Sequence, residues 1–251
     1  MKILCMLPAG QGIYPPEAEE RRFNLMRSYA TASTQIDVEY MPGISGFSPW
    51  GRSHAEIANT PQAASERAAE LSATLARQAE ERGYDAFCPF GTLDIGVPAA
   101  RASGVRIPVV GQAESAILYC GLLGRRFASC SYVSSPSGEE LIHWRTEILG
   151  LDSLYAGPTA IGIPNSEYPA RRDEVLDRFV ECAKEARKLG AEIMGLVAMS
   201  ICPVEFSAAE LSEAAGFPVI DALAAQIAMA EWWHRIGLSP SLLLTPRKEA
   251  R

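Results

Sequence analysis

Four stretches of this chain carry residues whose types and spacing could do chemistry. Tyr84 to Gly96 is a short apolar run, then a turn of small and polar residues, then a helix start. The turn offers Gly91, Thr92 and Asp94, with the Cys88 thiol just upstream. Leu196 to Pro203 ends a second apolar run and brings up Ser200 and Cys202. Lys2 to Leu7 stops at Pro8, Ala9 and Gly10, a small-residue turn whose backbone N–H groups can meet the polar end of a ligand. Ser131 and Tyr132 close a further strand-like run. In an open α/β sheet, ligands bind outside the carboxyl ends of the strands. A thiol with an ordinary pKa of about 8.5 can be lowered toward neutrality at a helix N-terminus. A base working near its own pKa is most effective. Proton transfer by a thiol is therefore one chemistry to expect. Nucleophilic attack by Cys202 or Ser200 is another, although no histidine is obviously placed as its base.

The elements that must position these residues alternate. Lys2–Leu7, Gln35–Met41, Tyr84–Phe90, Val105–Gly111, Arg126–Val133, Leu154–Gly162, Glu192–Met199 and Phe217–Asp221 read as strands. Helices are expected over 16–30, 60–82, 98–103, 114–123, 172–189 and 222–233, with one more after Ser137 and another after Ser207. Ser137 with Glu140 and Ser207 with Glu210 have capping-box spacing, and Thr60 with Pro61 reads as another helix start. Strand–helix alternation implies βαβ units and parallel sheet. About eight such units would suit a (β/α)8 barrel. Two lobes fit better, because Val105–Gly111 and Phe217–Asp221 look like paired crossing points, each a short apolar strand with a proline before an Ala-rich helix. Residues 42–59 form a long loop containing Trp50 and His54, which could contact substrate.

Composition removes several classes. The chain has 251 residues, 48% hydrophobic, with 23 basic against 30 acidic residues, a formal net charge of −7. Phosphate neutralisation needs an excess of Lys and Arg, so no nucleic-acid partner is expected. No stretch approaches the roughly 20 apolar residues of a membrane span, so no membrane partner and a cytoplasmic location are expected. The six cysteines are scattered, with no C-x-x-C; a disulfide framework or a structural metal site is not expected. Cys5, Cys120, Cys130 and Cys182 read as small core residues. Asp94 reads as a helix cap, Asp221 as the end of a strand, and His143 and His234 as structural helix residues.

Several motifs resemble the aspartate/glutamate/hydantoin racemase superfamily. They are Asp94-Ile95-Gly96-Val97-Pro98-Ala99-Ala100-Arg101, Ile107-Pro108-Val109-Val110-Gly111-Gln112-Ala113-Glu114-Ser115-Ala116, Leu123-Gly124-Arg125-Arg126-Phe127-Ala128, and Gly216-Phe217-Pro218-Val219-Ile220-Asp221-Ala222-Leu223. The resemblance implies an α/β fold of two similar Rossmann-like lobes with parallel sheets and the active site in the cleft between them. The lobes would be residues 1–112 plus 221–251, and 113–220. It implies racemase or isomerase chemistry on a small carboxylate or cyclic amide, with no cofactor or metal. One thiolate removes the α proton and a second thiol returns one from the opposite face. The carbanion is an enolate, so donors must be aimed at its oxygens. A homo-oligomer is expected.

Ungapped alignment puts the family's first cysteine on Gly91, not Cys88. Aligned from Gly190-Ala191-Glu192 the second falls on Ala198, aligned backward from Pro218 it falls near Met199 to Ile201, and only an insertion would bring Cys202 there. Gly91-Thr92 resembles arylmalonate decarboxylase, a one-thiol member of the superfamily that also has a tyrosine where Tyr132 stands. By that likeness Gly91, Thr92, Ser131, Tyr132 and the turn Pro8-Ala9-Gly10 bind substrate oxygens, while Cys202, Cys88 and Ser200 are the catalytic candidates. Decarboxylation or another lyase reaction, hydrolysis, and a non-catalytic protein that binds a small acid are the alternatives.

Overall fold

A computed structural model describes residues 1–7, 16–41, 61–134, 136–237 and 239. The turn at Pro8, Ala9 and Gly10, the loop with Trp50 and His54, and Thr60 lie outside the described residues, as does the Ser137 side chain. The chain is an α/β protein with two parallel three-stranded sheets, and it divides into two compact units, 1–111 with 226–251, and 112–225.

In the first unit β1 (Lys2–Leu7) is central, between β2 (Gln35–Tyr40) and β3 (Ala86–Pro89). Ile3 to Leu7 and all of β3 are buried, as expected for parallel strands covered on both faces. The helices are α1 (Pro16–Ser28), α2 (Pro61–Glu81) and α3 (Val97–Ala102). The core gathers Leu4, Met6, Leu75, Ala76, Ala79, Phe87, Val97, Ala100 and Val109.

The second unit repeats this plan. After α4 (Gln112–Leu123), β4 (Phe127–Ser131) lies between β5 (Tyr155–Ala160) and β6 (Ile193–Val197), with α5 (Pro136–Ile148), α6 (Arg172–Lys188) and α7 (Ala208–Ala215) in the connections. On α6, Val175, Phe179, Cys182, Ala183 and Ala186 form one buried stripe at helical spacing. Asp173 and Glu174 open that helix while Arg187 and Lys188 close it, each sign matched to its end of the dipole. The Ser207–Glu210 capping box starts α7, and Gly216, at φ 55°, ends it. Gly195 lets β6 approach its neighbours: a Cβ there would lie 2.5 Å from Cys120 Sγ and 2.8 Å from Phe127 Cβ. The division between units falls within α8 (Ala222–Ile236).

Two expected strands shrink to single bridges. Phe87 pairs with Val109, and Met194 with Val219. In each, one N–H reaches the carbonyl of a proline, Phe87 to Pro108 at 2.9 Å and Met194 to Pro218 at 2.8 Å. Proline has no N–H to extend a ladder, so both pairings stop there.

Candidate active site

Each unit has the strand order second–first–third, with the bridge beyond the third. In sheets so ordered the topological switch point lies between the first and third strands, and ligands bind beyond their carboxyl ends. That selects the residues after β1 and β3 in one unit, and after β4 and β6 in the other.

Beyond β3, the Phe90 N–H donates to Met6 O at 2.9 Å and holds the strand end. The Gln226 side-chain amide donates to Pro89 O and to Val110 O, 2.8 Å each. Gly91 follows with φ 124°, a conformation that favours glycine. Thr92 is half-buried in the turn. Asp94 is only 1% exposed and has φ 51°. Gly96 stands at the N-cap position of α3, and the Asp94 backbone carbonyl accepts from the Val97 N–H at 3.2 Å. Its carboxylate occupies the space against Gly111, where a Cβ would fall 2.3 Å from Oδ2.

Cys88 lies inside β3, opposite Cys5 of β1 and 0% exposed. The sequence leaves Cys88 as either a catalytic candidate or a mid-strand core residue; its side chain is enclosed in the first sheet. Burial is the largest cause pushing the Cys5 thiol well up, and the hydrogen bond to Cys88 adds to it.

Beyond β6 the chain makes a helical turn in which Ile201 and Cys202 both donate to Ala198 O, at 2.8 and 3.0 Å. Met199 and Ser200 are half-buried on this turn, whereas Ala198 and Ile201 are buried. Cys202 is 1% exposed and precedes a cis bond to Pro203. Burial pushes its thiol well above the ordinary range, and the negative charge of Asp221 pushes the same way. Asp221 Oδ1 caps α8, accepting from the Leu223 and Ala224 N–H groups at 3.0 Å each. Cys202 is therefore held as a neutral thiol, which can give a proton but is a poor base. Beyond β4, Ser131 Oγ donates to Val133 O at 2.6 Å, and Tyr132 is half-buried against the core that contains Cys202.

The sequence reading missed Tyr168. It lies in a 3-10 segment, Asn165–Ala170, after β5, is 2% exposed, and shares a core with Cys130, Ala198, Ile201 and Cys202. Burial raises its phenol well above the ordinary value. No helical or strand period marks this residue in the sequence; only a tyrosine before a proline was there to see.

A surface hollow of about 510 Å³ at Met1, Lys2, Ser33, Thr34, Gln35 and Asp85 lies at the opposite, amino-terminal edge of the first sheet, away from the switch point. Among the described residues no three His, Cys, Asp or Glu side chains gather as a metal-binding group. Among them, too, no helix is long and apolar enough to cross a membrane.

Comparison with known proteins agrees with this topology. A family model described as Asp/Glu/Hydantoin racemase matches residues 44–230. A hydantoin racemase of Rhizobium meliloti is 30% identical over 175 residues, spanning 67% of this chain and 68% of that one. Allantoin racemase from Klebsiella pneumoniae has a TM-score of 0.71 at 21% identity, covering 100% of this chain and 96% of its own. A crystal structure of arylmalonate decarboxylase has a TM-score of 0.57 at 15% identity, covering 93% of this chain and 92% of its own. At these identities the two structural likenesses bear on the fold alone.

Proposed function

The chain belongs to the Asp/Glu/hydantoin racemase family, and from that premise we propose that it is a cofactor-independent racemase or isomerase acting through an enolate on a small cyclic amide or carboxylate. The observation that carries this reading is the Cys202 thiol on the turn that follows β6, packed in one core with Ala198 and Ile201. The α proton passes to the Cys202 sulfur in its thiolate form, and the thiol so formed returns a proton to the carbanion. Hydroxyl and N–H donors can hold the enolate oxygen without a cation. Ser200 and Tyr132 are assigned as such donors, and Ser131 shapes the rim with its hydroxyl proton already engaged. Both thiols are buried, and Cys88 is assigned to the core because it lies inside β3 opposite Cys5, whereas Cys202 lies on the turn beyond β6. The cyclic amide is the preferred substrate class because the curated relative is a hydantoin racemase.

The test is solvent exchange. Incubation in D2O with a set of 5-substituted hydantoins and small 2-substituted acids should replace the hydrogen α to the carbonyl, read by proton NMR. Cys202→Ala should abolish the exchange. Binding without exchange by the unaltered protein would leave the non-catalytic reading.

A second reading, decarboxylation, is favoured by Gly91. With no side chain where the family's first thiol falls, and one neutral thiol elsewhere, proton delivery from one side is the simplest outcome. Carbon dioxide release from a 2-aryl malonate, with no exchange on hydantoins, would select it.

A further inference from the structure

We propose that Tyr168 is a substrate-contacting residue whose phenol O–H donates to the carbonyl oxygen on which enolate charge develops. This rests on the enolate reading above and assigns a residue that neither the motifs nor the family alignment point to. The hydroxyl oxygen is buried and has no hydrogen-bond partner of good geometry among the described residues, although the Ser200 hydroxyl is near enough to act on it. Buried polar groups in folded proteins are overwhelmingly paired, so an orphan calls for a specific explanation.

Its location supplies one. Tyr168 follows β5, whose end is tied to the β4 end by the Ile161 N–H donating to Ser131 O and the Gly162 N–H donating to Tyr132 O, 2.9 Å each. The phenol lies within reach of Ser200 and Tyr132, both at carboxyl ends of strands, and shares one core with Ala198 and Cys202. The family's second thiol aligns within residues 198–201, on Ala198 or on the turn that follows it.

The electrostatics set the kind of oxygen it takes. Besides burial, the groups that act on the phenol are Cys130, Ser200, Tyr132 and Cys182, none of them a cation. The neighbouring Arg171 is bound to Glu167 and Glu174, and Arg172 to Glu205 and Glu210. A neutral donor among neutral groups suits an amide or imide carbonyl that gains charge only during the reaction, better than a carboxylate that arrives charged.

The experiment compares the unaltered protein with Tyr168→Phe and Ser200→Ala, reading thermal melting, hydantoin binding by calorimetry and deuterium exchange on 5-methylhydantoin. Tyr168→Phe should melt at the same temperature or higher, because it removes an unpaired hydroxyl. It should lower kcat for exchange about 100-fold, with a smaller change in KM, the loss typical of one oxyanion donor. Ser200→Ala should have the smaller effect. Unchanged exchange in Tyr168→Phe overturns the proposal and leaves the enolate reading standing. A melting temperature several degrees lower also overturns it, since the hydroxyl would then serve the fold. If the unaltered protein exchanges no hydantoin yet binds it, and Tyr168→Phe binds it more weakly, the Tyr168 contact stands and the enolate reading falls. If hydantoin binds neither protein, both fall.

Discussion

The Asp94 carboxylate stands where a side chain on Gly111 would have to be: a Cβ at 111 would lie 2.3 Å from Oδ2, 2.5 Å from Cγ and 2.8 Å from Oδ1. Asp94 is also held at φ 51°, so the turn after β3 and the chain beyond the Val109 bridge share one close contact. Gly111→Ala should destabilise by about 1–3 kcal/mol through overpacking. In an Asp94→Gly background the carboxylate is gone and the positive φ suits the residue, so the added methyl should be tolerated. A double-mutant cycle by denaturant unfolding checks this; additive effects would mean the contact does not constrain the turn.

Gly91 invites restoration of the family's first thiol, and its backbone resists it. At φ 124° an L side chain is strained even though nothing lies within 4 Å of where its Cβ would stand. Gly91→Ala and Gly91→Cys should each lose on the order of 1 kcal/mol or more. Urea unfolding of the two variants decides whether the backbone, rather than the thiol, sets the loss; a stabilised Gly91→Ala would contradict the strain.

The neutral state of Cys202 has a direct chemical readout. Burial and the Asp221 charge both hold the thiol above its ordinary value, so iodoacetamide should label it far more slowly than a free thiol at pH 8. Asp221→Asn keeps a side-chain oxygen to cap α8 and removes the charge. Labelling of Cys202, followed by peptide mass spectrometry, should then set in at lower pH. Equal onset in both proteins would mean that burial alone holds the thiol.

Alkaline pH should destabilise the fold. Burial pushes the Cys120 thiol and the Tyr155 phenol up to about 12, and Cys5 and Cys202 are raised as well. Their folded values lie above the unfolded ones, so the native state keeps protons that the unfolded chain gives up. The stabilisation is complete below the unfolded values, about 8.5 for thiols and about 10 for tyrosine, and is lost as pH rises through the folded ones. Each such group contributes a slope of up to about 1.4 kcal/mol per pH unit. Urea unfolding between pH 8 and 11 should show stability falling steadily; a flat profile would mean that these groups titrate alike in both states.

Sequence alone determined the alternation of strand and helix and, through the motif from Asp94 to Arg101, the resemblance to the racemase family. The reason is physical: continuous apolar runs such as Ile3–Leu7 and Ile193–Val197 are what strands buried on both faces require. The Ser207–Glu210 cap was equally legible, because its hydrogen bonds span only three residues. Tertiary structure decided which polar groups are enclosed. Cys88 and Cys202 both read as thiols near strand ends, but β3 pairs Cys88 with Cys5 across the sheet, and Asp221, nineteen residues on in the chain, sets the charge around Cys202. Two prolines reduced expected strands to bridges by lacking one N–H each, a loss that matters only once a partner strand is beside them. Tyr168 gave no sign at all in the sequence, since an unpaired hydroxyl is defined by neighbours drawn from β4, β5 and β6, and that neighbourhood exists only after the chain has folded.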